Sequence, residues 1–183
     1  REIILDEMFK IINIPIHNLN IDFDNWFYES SLFKEDLVEK NIKKLESSEH
    51  TIKDEGALML KAEEPRVLVK SNGDYTYFAT DLAYHDLKMK NFDLVIDIWG
   101  ADHHGYVPRI KAGLRALGHD INKLDIHLIQ FANLFRNGQK VSMSTRKGEF
   151  IELESLRKEI GNDAINFFYL TKSKDQHLDF DLS

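Results

Sequence analysis

The 183-residue sequence contains no cysteine. Disulfides and thiolate metal sites are therefore excluded. It also lacks an excess of positive charge: 24 Lys and Arg against 31 Asp and Glu give a net charge of −7. An acidic chain is a poor general binder of polyanions, so any contact with RNA has to come from local basic patches or from chain outside this sequence. The longest apolar runs are only a few residues, too short to span a membrane. No internal repeat or low-complexity tract occurs. The chain opens Arg1-Glu2-Ile3, with neither a methionine nor a signal-peptide pattern, which leads us to expect a cut piece of a longer protein. What remains is an ordinary globular composition, 43% hydrophobic and 30% charged.

The first 50 residues read as strand-poor and partly helical. Val38, Ile42 and Leu45 form an apolar stripe opposite Glu39, Lys40, Lys43 and Lys44. Phe23 to Tyr28 is aromatic-rich and reads most simply as a packing cluster. After a turn at Glu55-Gly56, residues 57–61 suit a short strand. Asn72-Gly73 predicts a tight hairpin turn between Val67–Lys70 and Tyr75–Phe78. Residues 79–90 read as a helix with Asp81, His85 and Lys88 along one side. Leu94 to Trp99 is apolar and β-branched, as expected of a strand buried on both faces. A helix from Val107 to Leu117, stopped by Gly118, leads to a second strand over 126–132. This strand–helix–strand unit predicts a parallel sheet. A loop over 136–149 precedes a helical stretch from Leu153 to Leu170, interrupted near Gly161-Asn162.

Three constellations could carry chemistry. Gly100-Ala101-Asp102-His103-His104-Gly105 lies between a strand and a helix, where open α/β sheets bind ligands. Gly100 permits close approach of a ligand, and Asp102 suits ribose hydroxyls. The plainer reading is a strand-to-helix turn with histidine caps. A metal site made of Asp102, His103 and His104 is disfavoured, because adjacent residues rarely converge on one ion. The second constellation is Lys140-Val141-Ser142-Met143-Ser144-Thr145-Arg146-Lys147-Gly148, whose cations and hydroxyls could wrap phosphate oxygens; the commoner fate of such a cluster is a solvated loop. The third is Tyr77 and Asp81. If a helix starts near Tyr77, the two stand one turn apart on one face, and a carboxylate beside a phenol is a good receptor for a planar cation. The plainer alternative is an acidic residue favoured at a helix start.

In this order, the segments resemble the arginyl-tRNA synthetases. The resemblance is strongest over 66–181: Arg66-Val67-Leu68-Val69-Lys70-Ser71-Asn72-Gly73, Tyr75 to His85, Gly100 to Gly105, Ser142 to Gly148, and His177-Leu178-Asp179-Phe180-Asp181. Phe27-Tyr28-Glu29-Ser30-Ser31-Leu32 resembles a bacterial-type version. The resemblance implies an α/β fold, namely the second half of a class I synthetase Rossmann-like parallel-sheet catalytic domain. An inserted α+β segment over 1–65 would precede the second half of the nucleotide-binding fold (66–150). A helical segment (151–183) would lead towards an anticodon-binding domain.

The implied activity is arginine activation with ATP, accompanied by Mg²⁺, followed by transfer to tRNA(Arg). The implied setting is the cytoplasm, with no membrane and a monomeric parent enzyme. Tyr77 and Asp81 match the guanidinium-binding pair, and His103 matches a position near the same pocket that is often Gln. Gly100, Ala101 and Asp102 match the adenosine-side strand end. Val141, Met143, Ser144, Arg146 and Lys147 fall in or beside the loop that closes over ATP phosphates, with Ser144, Arg146 and Lys147 as its catalytic candidates. That loop departs from the Lys-Met-Ser-Lys-Ser pattern: Ser142 and Thr145 stand where the two lysines would be. No His-Ile-Gly-His tetrad occurs anywhere, so the piece is expected to be inactive alone. Two rivals share these features: another adenylate-forming nucleotidyl transferase of the same fold, and a non-catalytic interaction domain on a synthetase-like scaffold.

Overall fold

The computed structural model describes residues 2–141 and 151–182. Two compact units emerge: Phe27–Leu128, and the described parts of Arg1–Trp26 and Ile129–Ser183.

The Phe27–Leu128 unit begins with helices α2 (Glu29–Lys34) and α3 (Leu37–Glu46). The apolar stripe on α3 is buried as its spacing predicts: Val38, Ile42 and Leu45 all enter the core. An antiparallel sheet follows, with strands β1 (Thr51–Asp54), β2 (Ala57–Leu60) and β3 (Arg66–Val69) in sequential order. Glu55 and Gly56 form the β1–β2 turn with φ of 45° and 81°.

The expected hairpin after β3 is cut short. Only Tyr75 bridges back to Val69, and Tyr77 and Phe78 enter helix α4 (Tyr77–Asn91) instead of a strand. The physical reason is Thr76. Its extended backbone and Oγ1 cap α4 by accepting from the Ala79 N–H at 3.4 Å, while the same hydroxyl donates to the Val67 carbonyl at 2.8 Å. The cap therefore starts the helix at Tyr77 and ties it to β3.

Strand β4 (Val95–Gly100) runs through a 3₁₀ turn (Ala101–Tyr106) into α5 (Val107–Ala116), and β5 (Leu124–Ile129) pairs with β4 in a parallel sheet. Helix α5 ends in a Schellman motif: Gly118, at φ 85°, donates to Arg115 O and His119 donates to Leu114 O. β4 is not buried on both faces. Val95 and Asp97 point inward, whereas Ile96 and Ile98 are exposed on the other side, Ile98 by 72%. Among the described residues of this unit, helices cover only one face of β4, so the apolar run does not alternate although its burial does.

Helices α4 and α5 pack closely at Gly113. A Cβ built there would lie 2.3 Å from Leu82 Cδ2, and Leu82 is 1% exposed, so it has no room to swing away. Gly113→Val is expected to destabilise the protein by about 1–3 kcal/mol through overpacking. Urea unfolding checks this; an unchanged midpoint would mean that the helices separate freely.

In the other unit, α1 (Glu2–His17) comes first. β6 (Ala132–Arg136) pairs antiparallel with the short β7 (Gln139–Lys140) and parallel with β8 (Leu178–Asp181). The strand expected over 126–132 breaks at Gln130, whose N–H bonds to the Lys174 carbonyl at 3.0 Å rather than joining a ladder. Helices α6 (Leu153–Ile160) and α7 (Asn162–Leu170) are separated at Gly161, which adopts φ 83°. Leu19, Leu156 and Ile165 form one small core here; Leu134, Leu178 and Phe180 form another.

Candidate functional site

Helix α4 presents Tyr77, Asp81, Tyr84, His85 and Lys88 along the side that faces β4 and the 3₁₀ turn. With Trp99, His103 and Tyr106 they line an open cleft of about 750 Å³ within the Phe27–Leu128 unit. Tyr77 stands at its edge, 86% exposed. Helical spacing explains the shared face, since residues four apart lie one turn above one another.

The Asp81 carboxylate accepts a hydrogen bond from the Tyr106 hydroxyl at 2.5 Å. Among the described residues, no lysine or arginine forms an ion pair with Asp81; Lys88, the cation that lines the same cleft, pairs with Asp97 instead. A half-buried carboxylate without a cationic partner, beside aromatic rings, can accept a planar cation from outside.

Behind this site lies a buried polar group. The two His85 ring nitrogens face the Asp81 backbone carbonyl and Asp97 Oδ2, both at 2.7 Å. Lys88 donates to Asp97 Oδ1 and sits 4.7 Å from the Tyr84 ring centroid. Tyr84 in turn stacks on Phe27, with centroids 4.2 Å apart. Burial alone would raise the Asp97 carboxyl pKa, but the hydrogen bonds from His85 and Lys88 outweigh it and hold Asp97 below the ordinary carboxylate range. Burial, helped by the Asp97 charge, pushes the Tyr84 phenol up. Asp97 thereby fixes α4 onto β4 from beneath the cleft.

Of the residues singled out in the sequence, Tyr77, Asp81 and His103 come together in this cleft. His103 meets the Trp99 ring edge-on, with centroids 6.3 Å apart. Gly100 and Ala101 are half-buried at the end of β4 and the start of the 3₁₀ turn, and Asp102 is exposed in that turn. Gly100 has φ −64°, a conformation open to any residue. Val141 is half-buried beside β7, its N–H bonded to Leu134 O at 2.8 Å, in the other unit. Ser142, Met143, Ser144, Thr145, Arg146 and Lys147 lie outside the described residues. Among the described residues, no group of three or more His, Asp or Glu side chains could hold a metal ion, and no helix is long and apolar enough to cross a membrane.

Sequence reasoning missed Tyr106 and Asp97. For Asp97 there was a signal: one carboxylate inside an apolar strand, next to a helix carrying His85 and Lys88. For Tyr106 there was none, because its contact with Asp81 depends on how the 3₁₀ turn folds over α4.

Comparison with known proteins bears on this geometry. The family described as tRNA synthetases class I (R), catalytic domain, matches residues 2–179. An arginine–tRNA ligase of Legionella pneumophila is 53% identical over 177 residues, covering 93% of this chain and 30% of the relative. A solved structure from Campylobacter jejuni, provisionally described as an arginyl-tRNA synthetase, superposes with a TM-score of 0.87 at 35% identity, covering 97% of this chain and 40% of that one. The Thermus thermophilus arginyl-tRNA synthetase shares the fold, with a TM-score of 0.73 at 18% identity over 93% of this chain and 40% of that one. The chain thus spans about 30% of the length of the curated relatives it matches. It belongs to the class I tRNA synthetase (R) family, within the catalytic domain.

Proposed function

We propose that the protein is part of an arginine–tRNA ligase, which activates arginine with ATP and transfers it to tRNA(Arg) in the cytoplasm, with a monomeric parent enzyme. The observation that carries this reading is Asp81: a carboxylate in an aromatic-walled cleft without a cationic partner among the described residues, in a chain of this family. A guanidinium satisfies that carboxylate with two charge-assisted hydrogen bonds. Tyr77 closes over the cation from the cleft edge, and His103 completes the receptor.

In this reading the strand end at Gly100, Ala101 and Asp102 receives the adenosine. The segment with Val141, Met143, Ser144, Arg146 and Lys147 meets the ATP phosphates. Magnesium enters as the ATP complex; among the described residues no cluster of His, Asp or Glu side chains could hold it. The reaction needs no covalent nucleophile, because the carboxylate of arginine attacks the α-phosphate directly, breaking its bond to the β-phosphate and giving arginyl-adenylate and pyrophosphate. The protein orients the two substrates and stabilises charge on the phosphates. The division into 1–65, 66–150 and 151–183 follows this allocation of roles, with the arginine receptor and phosphate loop in the middle segment. Without a His-Ile-Gly-His tetrad, the chain by itself is inactive.

The test is ATP–pyrophosphate exchange by the full-length protein with tRNA present, comparing arginine, lysine and citrulline. Citrulline keeps the shape of arginine and loses its charge. Exchange with arginine is expected to exceed exchange with lysine or citrulline by a wide margin. Exchange driven equally by citrulline, or by another amino acid in place of arginine, would rule the reading out.

A further inference from the structure

The Asp81 carboxylate is held by a residue that no sequence motif marks. Tyr106, 25 positions later, donates its hydroxyl to Asp81 Oδ2 at 2.5 Å. Its ring is fixed on two sides. Phe78 meets it edge-on with centroids 6.0 Å apart, and Trp99 lies tilted at 5.8 Å. Phe78 belongs to the same helix as Asp81, while Trp99 belongs to β4. The phenol thus joins the two elements that form the cleft walls. Burial pushes the Tyr106 hydroxyl well above its ordinary pKa, and the hydrogen bond to Asp81 and its charge push it further, so it stays a donor over the working pH range.

A carboxylate on two rotatable bonds at a cleft wall must give up rotamer freedom to grip a guanidinium. A donor locked onto one of its oxygens removes that loss before the ligand arrives. On the arginine-ligase reading given above, we propose that Tyr106 is a positioning residue of the guanidinium site: its hydroxyl presets the Asp81 carboxylate for the cation of the substrate. The hydroxyl acts through Asp81 and takes no part in the reaction at phosphate. A merely structural tyrosine would behave differently, because losing its hydroxyl would loosen the whole cleft and affect every substrate alike.

Tyr106→Phe separates the two roles, since it keeps the ring packing against Phe78 and Trp99 and removes one oxygen. In the full-length protein with tRNA, the arginine KM in ATP–pyrophosphate exchange is expected to rise about tenfold, the size of one hydrogen bond to a charged group. Both kcat and the ATP KM should stay within about twofold, since ground-state positioning of arginine alone is lost. The rise in melting temperature that arginine produces should shrink in parallel, while the melting temperature without arginine stays put. An unchanged arginine KM overturns the proposal. So does a joint loss for arginine and ATP with a lowered or absent cooperative melt, which would make the hydroxyl structural. The two readings fail distinguishably. If wild type activates no arginine, both fall. If wild type does, and Asp81→Ala sharply lowers it while Tyr106→Phe is silent, only the role of Tyr106 falls.

Discussion

Asp97→Ala is expected to destabilise the protein by about 3–5 kcal/mol, because removing one partner of a buried ion pair leaves the other charge uncompensated. Asp97 is 7% exposed, and its two oxygens receive His85 and Lys88 from α4. Alanine leaves the Lys88 ammonium under the Tyr84 ring without its counter-charge, and one His85 nitrogen without an acceptor. The cavity left by the lost carboxylate adds to the cost. The effect also has a sign in pH. The folded-state pKa of Asp97 lies below the ordinary carboxylate value, so its contribution is complete above the unfolded pKa, about 4, and is lost as pH falls through the lower folded value. Urea unfolding followed by tryptophan fluorescence should show a large gap between wild type and variant near neutral pH that narrows in acid. A gap of the same size at every pH, or none at pH 7, would mean that the ion pair does not hold α4 to β4. Asp97→Leu gives a sharper form of the comparison: it fills the volume yet still strands Lys88, so it should recover only part of the loss.

The same ion pair shows where sequence reasoning reached its limit. Local patterns carried well. The spacing of Val38, Ile42 and Leu45 predicted the buried face of α3, Gly118 predicted the end of α5, and Gly161 predicted the break between α6 and α7. Each depends on interactions within a few residues, such as an apolar stripe or a positive φ. The misread places depend on distant partners. Tyr77 and Phe78 suit a strand by composition, but a Thr76 cap anchored to Val67 turns them into a helix. Residues 126–132 read as one strand until Gln130 gives its N–H to Lys174, 44 positions away along the chain (174 − 130). The apolar run of β4 looks buried on both faces, yet Ile96 and Ile98 are exposed because helices among the described residues of the unit cover only one side. Within the candidate site, Tyr77, Asp81 and His103 were readable because they sit in motif-bearing segments. The Asp97 and Tyr106 contacts were not, since each exists only once β4 and its turn are laid against α4.

If the protein is part of an arginine–tRNA ligase as proposed, Asp81→Ala in the full-length protein with tRNA present should lower kcat/KM for arginine in ATP–pyrophosphate exchange by roughly 10²- to 10³-fold. Truncating one side of a desolvated, hydrogen-bonded charge pair costs about 2–5 kcal/mol, and each 1.4 kcal/mol is a factor of ten. The geometry explains why the loss should be this large and this selective. Among the described residues, Lys88 is the only cation lining the cleft, and it is already committed to Asp97, so Asp81 brings the negative charge that has no cation of its own. On that reading, removing it would leave the substrate guanidinium facing Tyr77, Tyr84 and Trp99, which can stack on the ion but cannot accept two hydrogen bonds from it. The variant should therefore bind ATP as before and lose most of its preference for arginine over citrulline, because the neutral ligand never gained the charge attraction of the carboxylate. The ratio of the two kcat/KM values is the informative quantity. It cancels any general damage to folding, phosphate contacts or tRNA binding, which would lower both amino acids alike. If the ratio stays at its wild-type value, the charge of arginine is read elsewhere and the cleft beside α4 is not its receptor. If it collapses, the same carboxylate that the Tyr106 hydroxyl holds is the group that recognises the substrate.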